Sequence, residues 1–229
     1  LDSIYQLSYI DSIYFNIIVY MDTLIILDWD DTLFPTSWII KSGLDIYNKS
    51  NKQNMVEILH PLDDILHSFL NKISSFGEIQ IITNALPEWV YFCSSLLPKT
   101  SKILSTINVI SARDKYQKKF PNISTFWKTF AFTNAPSVKT KKHIISVGDD
   151  VSEYLALIHL NTNKRILKAI RFLGSPDYRQ LLEQLYILSI TFNKIYNPKK
   201  HMDLRFTRKN NQIKQDQFAQ CNKKTTNFC

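Results

Sequence analysis

Glycine is scarce in this chain: 229 residues contain only four, Gly43, Gly77, Gly148 and Gly174. A Walker loop or a GxGxxG turn needs several glycines within a few residues, and no two of these four are that close. Nucleotide binding through a glycine cradle is therefore excluded. Cysteine is equally sparse. Cys93, Cys221 and Cys229 form no CxxC pair and, with the five histidines, no cluster at zinc-ligand spacing. Neither a disulfide framework nor a structural zinc site is expected. Long apolar runs are missing too. The apolar stretch Ile13 to Tyr20 is interrupted by Asn16, lacks the basic flank of a signal peptide, and is shorter than the roughly 20 residues a bilayer demands. Residues 1–20 read as a packing helix or an upstream extension, with Met21 as an alternative start and a membrane-surface anchor as the lesser alternative.

What remains is ordinary globular composition, 45% hydrophobic and 21% charged, long enough for one domain with a buried core. The net charge of +8 is unevenly spread. Nine of the 28 Lys and Arg lie from Thr191 onward against two of the 20 acids, so the rest of the chain is close to neutral. The expected organisation is an extension over 1–20, an α/β domain over 21–196, and a basic, disordered tail over 197–229 that reads first as a solvated end, with engagement of acidic partners, nucleic acid among them, as the lesser alternative.

Within the domain, short apolar runs at 23–27, 79–82, 107–110, 143–147 and 166–172 read as strands buried on both faces. Stretches of helical periodicity at 55–75, 87–97, 123–132 and 151–159 separate them, and 178–196 carries Leu181, Leu182, Leu185, Leu188 and Phe192 at the same spacing. Strands alternating with helices predict a parallel sheet of about five strands covered on both sides.

The acids sit where such a sheet binds ligands. The first strand runs into Asp28-Trp29-Asp30-Asp31-Thr32-Leu33, and in extended chain Asp28 and Asp30 face the same way. The fourth ends Val147-Gly148-Asp149-Asp150, with Glu153 three residues on. Convergence of Asp28, Asp30, Asp149 and either Asp150 or Glu153 requires a cation, and an all-oxygen set suits Mg²⁺. Thr83 and Asn84 end the second strand, where a hydroxyl and the N–H groups opening the next helix would meet a phosphate. Lys128, on the element before the fourth strand, would supply the positive charge; Lys115, Lys118 and Lys119 compete for that role. The doublet Asp63-Asp64 after Pro61 reads as a solvated helix start, and the four tryptophans as core or pocket wall.

Taken together, the DxDxT run at Asp28, Thr83, Lys128 and the Gly148-Asp149 plus Glu153 pattern resemble the four motifs of the haloacid dehalogenase (HAD) superfamily of phosphohydrolases. The Asp28 to Leu33 run with Pro35 and Trp38, and Ser111-Ala112-Arg113 ahead of Trp127-Lys128, are similar to a HAD subgroup of protists and plants. The resemblance spans 22–185 and implies a Rossmann-like sheet without a large cap domain. It further implies Asp28 as nucleophile forming an aspartyl-phosphate, and Asp30 as general acid and base. Thr83 and Lys128 would hold phosphoryl oxygens, and Asp28, Asp149 and the Asp30 carbonyl would hold Mg²⁺. Thr32, Asp150 and Glu153 would support them. Without a lid, the substrate would be a bulky phosphoester such as a phosphoprotein, in an intracellular, cytoplasmic setting. The competing expectation is a weakly catalytic phosphate-binding or scaffolding module whose basic tail engages acidic partners.

Overall fold

The computed structural model describes residues 22–209 and 212–218, so the expectations for 1–20 lie outside the described residues. Strand β1 (Thr23–Leu27) is wholly buried, as its unbroken apolar sequence requires. A short helix α1 (Thr36–Lys41) and a single 3₁₀ turn (Lys49–Asn51) lead to the long helix α2 (Lys52–Ser74). Then follow β2 (Glu78–Thr83), α3 (Pro87–Ser94), α4 (Pro98–Leu104), β3 (Asn108–Ser111) and α5 (Ala112–Tyr116). A 3₁₀ turn (Ser124–Phe126) opens into α6 (Trp127–Asn134), followed by α7 (Pro136–Thr140), β4 (His143–Gly148), α8 (Val151–His159), β5 (Ile166–Arg171) and α9 (Tyr178–Tyr196). The described residues end with β6 (Met202–Lys209) and β7 (Gln212–Phe218).

The strands lie in the order β3-β2-β1-β4-β5-β6-β7, parallel from β3 to β6 and antiparallel only at the β6–β7 pair. Helices bury both faces in two apolar cores. One holds Ile25, Leu27, Leu59, Leu66, Phe69, Leu185 and Phe192; the other holds Leu24, Ile26, Trp127, Phe132, Ala156 and Leu157. Alternate residues of β1 thus enter opposite cores, which is the period-two geometry of a strand. Because the chain leaves β1 toward β2 and β3 on one side and later builds β4, β5 and β6 on the other, the order reverses at β1/β4. In an open parallel sheet the crevice beyond the strand ends at that reversal is the ligand site.

Two expectations need correction. The sheet has seven strands rather than about five, and the tail expected to be disordered from residue 197 supplies the extra two. Met202–Lys209 alternates polar and apolar residues, so Leu204 and Phe206 point into the core while Arg205 stays exposed. The Phe206 ring packs edge-on against Phe172 at 5.0 Å, and Arg171 Nε lies 3.3 Å from Asp203 Oδ1. Two well-placed apolar side chains suffice to seat β6 between β5 and β7, although the segment's overall polarity hides them. Lys168, fully buried on β5, donates to the terminal carbonyls of Ile195 and Tyr196 at 2.6 and 2.7 Å and so satisfies the end of α9 just before β6 begins.

The second correction concerns Asp63. Helix α2 does not start after Pro61 but runs through it, and Asp63 is buried rather than solvated. Its carboxylate accepts from Lys99 N at 2.9 Å and Thr100 N at 2.8 Å, capping α4 from a neighbouring helix.

Candidate functional site

Asp28 continues β1 by one residue, its N–H donating to Val147 O of β4 at 3.0 Å. The chain then doubles back on itself. Thr32, Leu33 and Phe34 all donate backbone N–H groups to Trp29 O, and Asp31 takes φ +56°. That left-handed conformation is one that aspartate tolerates better than bulky residues do. Asp31 Oδ1 accepts from Ser37 N at 2.8 Å, anchoring the first turn of α1. Trp29 points away, fully buried and stacked on Phe34 at 5.9 Å. The alternation expected at Asp28-Trp29-Asp30 is thus present in the folded loop.

The loop opens onto a cavity of about 360 Å³ lined by Asp28, Asp30, Asp31, Thr83, Asn84, Ser124, Thr125, Lys128, Asp149, Asp150 and Ser152. Asp28 and Asp149 come from adjacent parallel strands, and Thr83 from the strand on the other flank of β1. Lys128, at the second residue of α6, is 3% exposed in its side chain, with Nζ 2.9 Å from Asp28 Oδ1 and in contact with Glu153 Oε1. The approach to Asp28 is an ion pair rather than an aligned hydrogen bond, since that oxygen has no hydrogen-bond partner. Lys115, Lys118 and Lys119 are exposed, so of the four competing lysines only Lys128 lies in the cavity.

Asp150 and Glu153, left as alternatives by the sequence, do different things. Asp150 lines the cavity and caps α8 by accepting from Ser152 N at 2.8 Å. Glu153 answers by accepting from Asp150 N at 2.9 Å, and its other oxygen accepts from Ser152 Oγ at 3.1 Å while pairing with Lys128. This capping box turns Glu153 inward under the lysine. Gly148 makes room for it: a Cβ there would fall 2.4 Å from Glu153 Cγ.

The charge balance is strongly negative, with several buried carboxylates around one ammonium. Burial, then the charges of Asp28 and Asp31, push the Asp149 carboxyl up to about 7, against the pull of Lys128. Thr32 Oγ1 donates to Asp149 Oδ1 at 3.3 Å. Asp30 is also raised above the usual carboxylate range by burial, opposed by hydrogen bonds from Thr36 and Trp89. For Asp150, burial is outweighed by the Ser152 hydrogen bonds and the net direction is downward.

Oxygens of Asp28, Asp149 and Glu153 lie within 4.8 Å of one another, a donor set for a hard divalent cation. Glu153 is already engaged with Lys128, Ser152 and Asp150. Asp28 and Asp149 therefore hold the free ligand capacity.

On the opposite flank Thr83 Oγ1 accepts from Ala85 N at 3.0 Å, which leaves its hydroxyl hydrogen for an acceptor in the cavity. The expected helix-opening N–H groups contribute less than the sequence suggests, because α3 begins at Pro87, which has none, and Ala85 N is spent on Thr83.

Two partners of Asp30 were missed. Trp89 Nε1 donates to Asp30 Oδ1 at 2.8 Å, and Thr36 Oγ1 donates to the same oxygen. A tryptophan expected as core or pocket wall carries no signal in the sequence for an indole hydrogen bond across 59 residues. Comparison of the chain with models of protein families, with curated proteins and with solved structures finds no match.

Proposed function

We propose that this protein is a Mg²⁺-dependent phosphohydrolase of the HAD type, working through an aspartyl-phosphate on Asp28. The observation that carries the reading is the meeting, in one cavity, of a strand-end carboxylate, a buried lysine paired to it, a free strand-end hydroxyl and a second carboxylate on the adjacent strand.

An oxygen of Asp28 attacks phosphorus while the bond to the leaving oxygen breaks. Asp30, whose raised proton affinity suits a general acid, gives that oxygen its proton. Asp30 then takes a proton from water, whose oxygen attacks the same phosphorus; the bond to Asp28 breaks and inorganic phosphate leaves. Lys128 and Thr83 offset the charge on the phosphoryl oxygens. Asp28, Asp149 and the carbonyl of Asp30 would hold Mg²⁺, which when bound neutralises the phosphoryl charge.

The chain between β1 and α2 holds only α1 and a 3₁₀ turn, and that between β2 and β3 only two short helices. With no lid built from either interval, the reading extends to bulky phosphoesters such as a phosphoprotein. Release of phosphate from phenyl phosphate in Mg²⁺, lost with chelator, is the expected result. A protein inert toward a panel of aryl, alkyl and peptide phosphates in saturating Mg²⁺ overturns the proposal.

The Asp149 carboxyl gives a pH test. Its folded value, about 7, lies above the ordinary value of 3.8. Below about pH 7 a divalent cation must displace a proton, so Mg²⁺ affinity should climb between pH 6 and 8, with close to one proton released per ion at the acid end. For the metal-free protein the sign is opposite. Between the two values the folded state binds more protons than the unfolded, so this group's contribution to stability declines as pH rises through 7. Calorimetric Mg²⁺ titrations at pH 6, 7 and 8 check the first statement, and thermal midpoints in chelator check the second. An affinity flat across that range contradicts the first, and a chelator-treated midpoint that does not fall toward pH 7 contradicts the second.

A further inference from the structure

Beside the cavity lies an aromatic cluster whose outer member, Tyr47, is exposed. Tyr47, Trp89 and Phe92 form a mutual cluster: Tyr47 stacks on Phe92 at 5.0 Å, Phe92 on Trp89 at 6.2 Å, and Tyr47 lies 6.1 Å from Trp89. Tyr47 is 68% exposed, Tyr91 65% and Leu86 41%. Tyr47 stands exposed against Phe92 and Trp89, which are half-buried against the core, and exposed apolar area beside a cavity is a feature of recognition surfaces.

This surface joins the cavity at two points. Trp89 donates its indole N–H to Asp30, and Leu86 stands two residues beyond cavity-lining Asn84. A second apolar rim, Ile123 and Phe126, flanks Ser124 and Thr125 on the other side. Chemistry distinguishes the two. In phosphoryl transfer the attacking and leaving oxygens lie roughly in line through phosphorus, so the leaving group departs away from Asp28 and toward the acid that protonates it. The acid is Asp30, and the side chain that touches Asp30 belongs to the Tyr47–Phe92–Trp89 cluster.

Resting on the phosphohydrolase reading, we infer that the alcohol portion of the substrate carries an aromatic ring seated on Tyr47, Phe92 and Trp89. The site is then selective for phosphomonoesters with an aromatic leaving group over equally reactive aliphatic ones. Offset stacking on such a ledge is worth about 3- to 10-fold in affinity. Tyr47 is the specificity-determining residue most open to test, because it sits on an exposed loop where its backbone N–H bonds the Asp45 side chain two residues before it.

The experiment uses the whole chain in Mg²⁺ with 2-phenylethyl phosphate and butyl phosphate, whose leaving alkoxides are of similar basicity. The wild type should favour the phenylethyl ester in kcat/KM by roughly 3- to 10-fold, through KM, and in Tyr47→Ser that ratio should approach one. Calorimetric binding of the two matching phosphonates repeats the comparison without turnover. A wild-type ratio near one, or a preference that survives Tyr47→Ser, overturns the inference while leaving a phosphatase in place. Preferential, Tyr47-dependent binding of the aromatic phosphonate with no hydrolysis of either ester supports the ledge and removes the phosphatase reading. Binding of neither phosphonate removes both.

Discussion

Asp28→Asn should eliminate turnover, lowering kcat by roughly four to six orders of magnitude, as loss of a covalent nucleophile does elsewhere. The substitution keeps the shape of the side chain and replaces the attacking carboxylate group with an amide. No neighbour can take over. Asp30 is held by Trp89 and Thr36, Asp149 by Thr32, and Glu153 is locked in its capping box. Stability should move little or upward in metal-free protein, because one of several crowded negative charges disappears and Lys128 keeps Glu153. Asp149 should also become more acidic, since Asp28 is one of the charges holding its carboxyl up. Single-turnover phosphate release and a thermal melt on the same preparation separate lost chemistry from lost fold. Residual activity within 100-fold of wild type with the melt unchanged would mean that another atom attacks phosphorus.

That such a variant can be named from sequence reflects where information about this fold resides. Strands buried on both faces must be apolar throughout, and their ends stand out when acids follow at once, as Leu27-Asp28 and Gly148-Asp149 do. Helix α9 was legible to the residue because Leu181, Leu182, Leu185, Leu188 and Phe192 keep helical spacing along it. Strand β6 was not legible, since two inward side chains in eight residues barely disturb a basic, polar composition. Asp63 was misread for a different reason: what buries it is a helix end 36 residues away, which periodicity does not register. At the site, strand-end residues followed from topology alone. The contacts of Trp89 and Thr36 with Asp30, and the inward turn of Glu153 beneath Lys128, depend on how helices dock onto the sheet. Only the folded chain displays them.

Lys128→Met should be the most damaging single change to the fold among the site residues, and its damage should be reversible in an informative way. Methionine fills most of the lysine's volume, so the loss is electrostatic: Asp28 and Glu153 remain buried with no cation between them. Breaking a buried pair in this manner costs about 3–5 kcal/mol, or roughly 6–20 °C in thermal midpoint for a domain of this size. Mg²⁺ is the natural substitute charge. If Asp28 and Asp149 bind it, saturating Mg²⁺ should restore about 2–3 kcal/mol, the linkage expected near 100 times Kd. Adding Glu153→Gln should recover most of the remaining deficit, because removing both members of a buried pair is far less costly than removing one. Activity should not follow stability. Lys128 has a second task at the phosphoryl oxygens, so both the single and the double variant should stay about 10²- to 10³-fold below wild type in kcat even when fully folded. Denaturant titrations with and without Mg²⁺, set beside kcat, test both halves: a double variant that regains activity along with stability would reduce Lys128 to a counter-ion for Glu153.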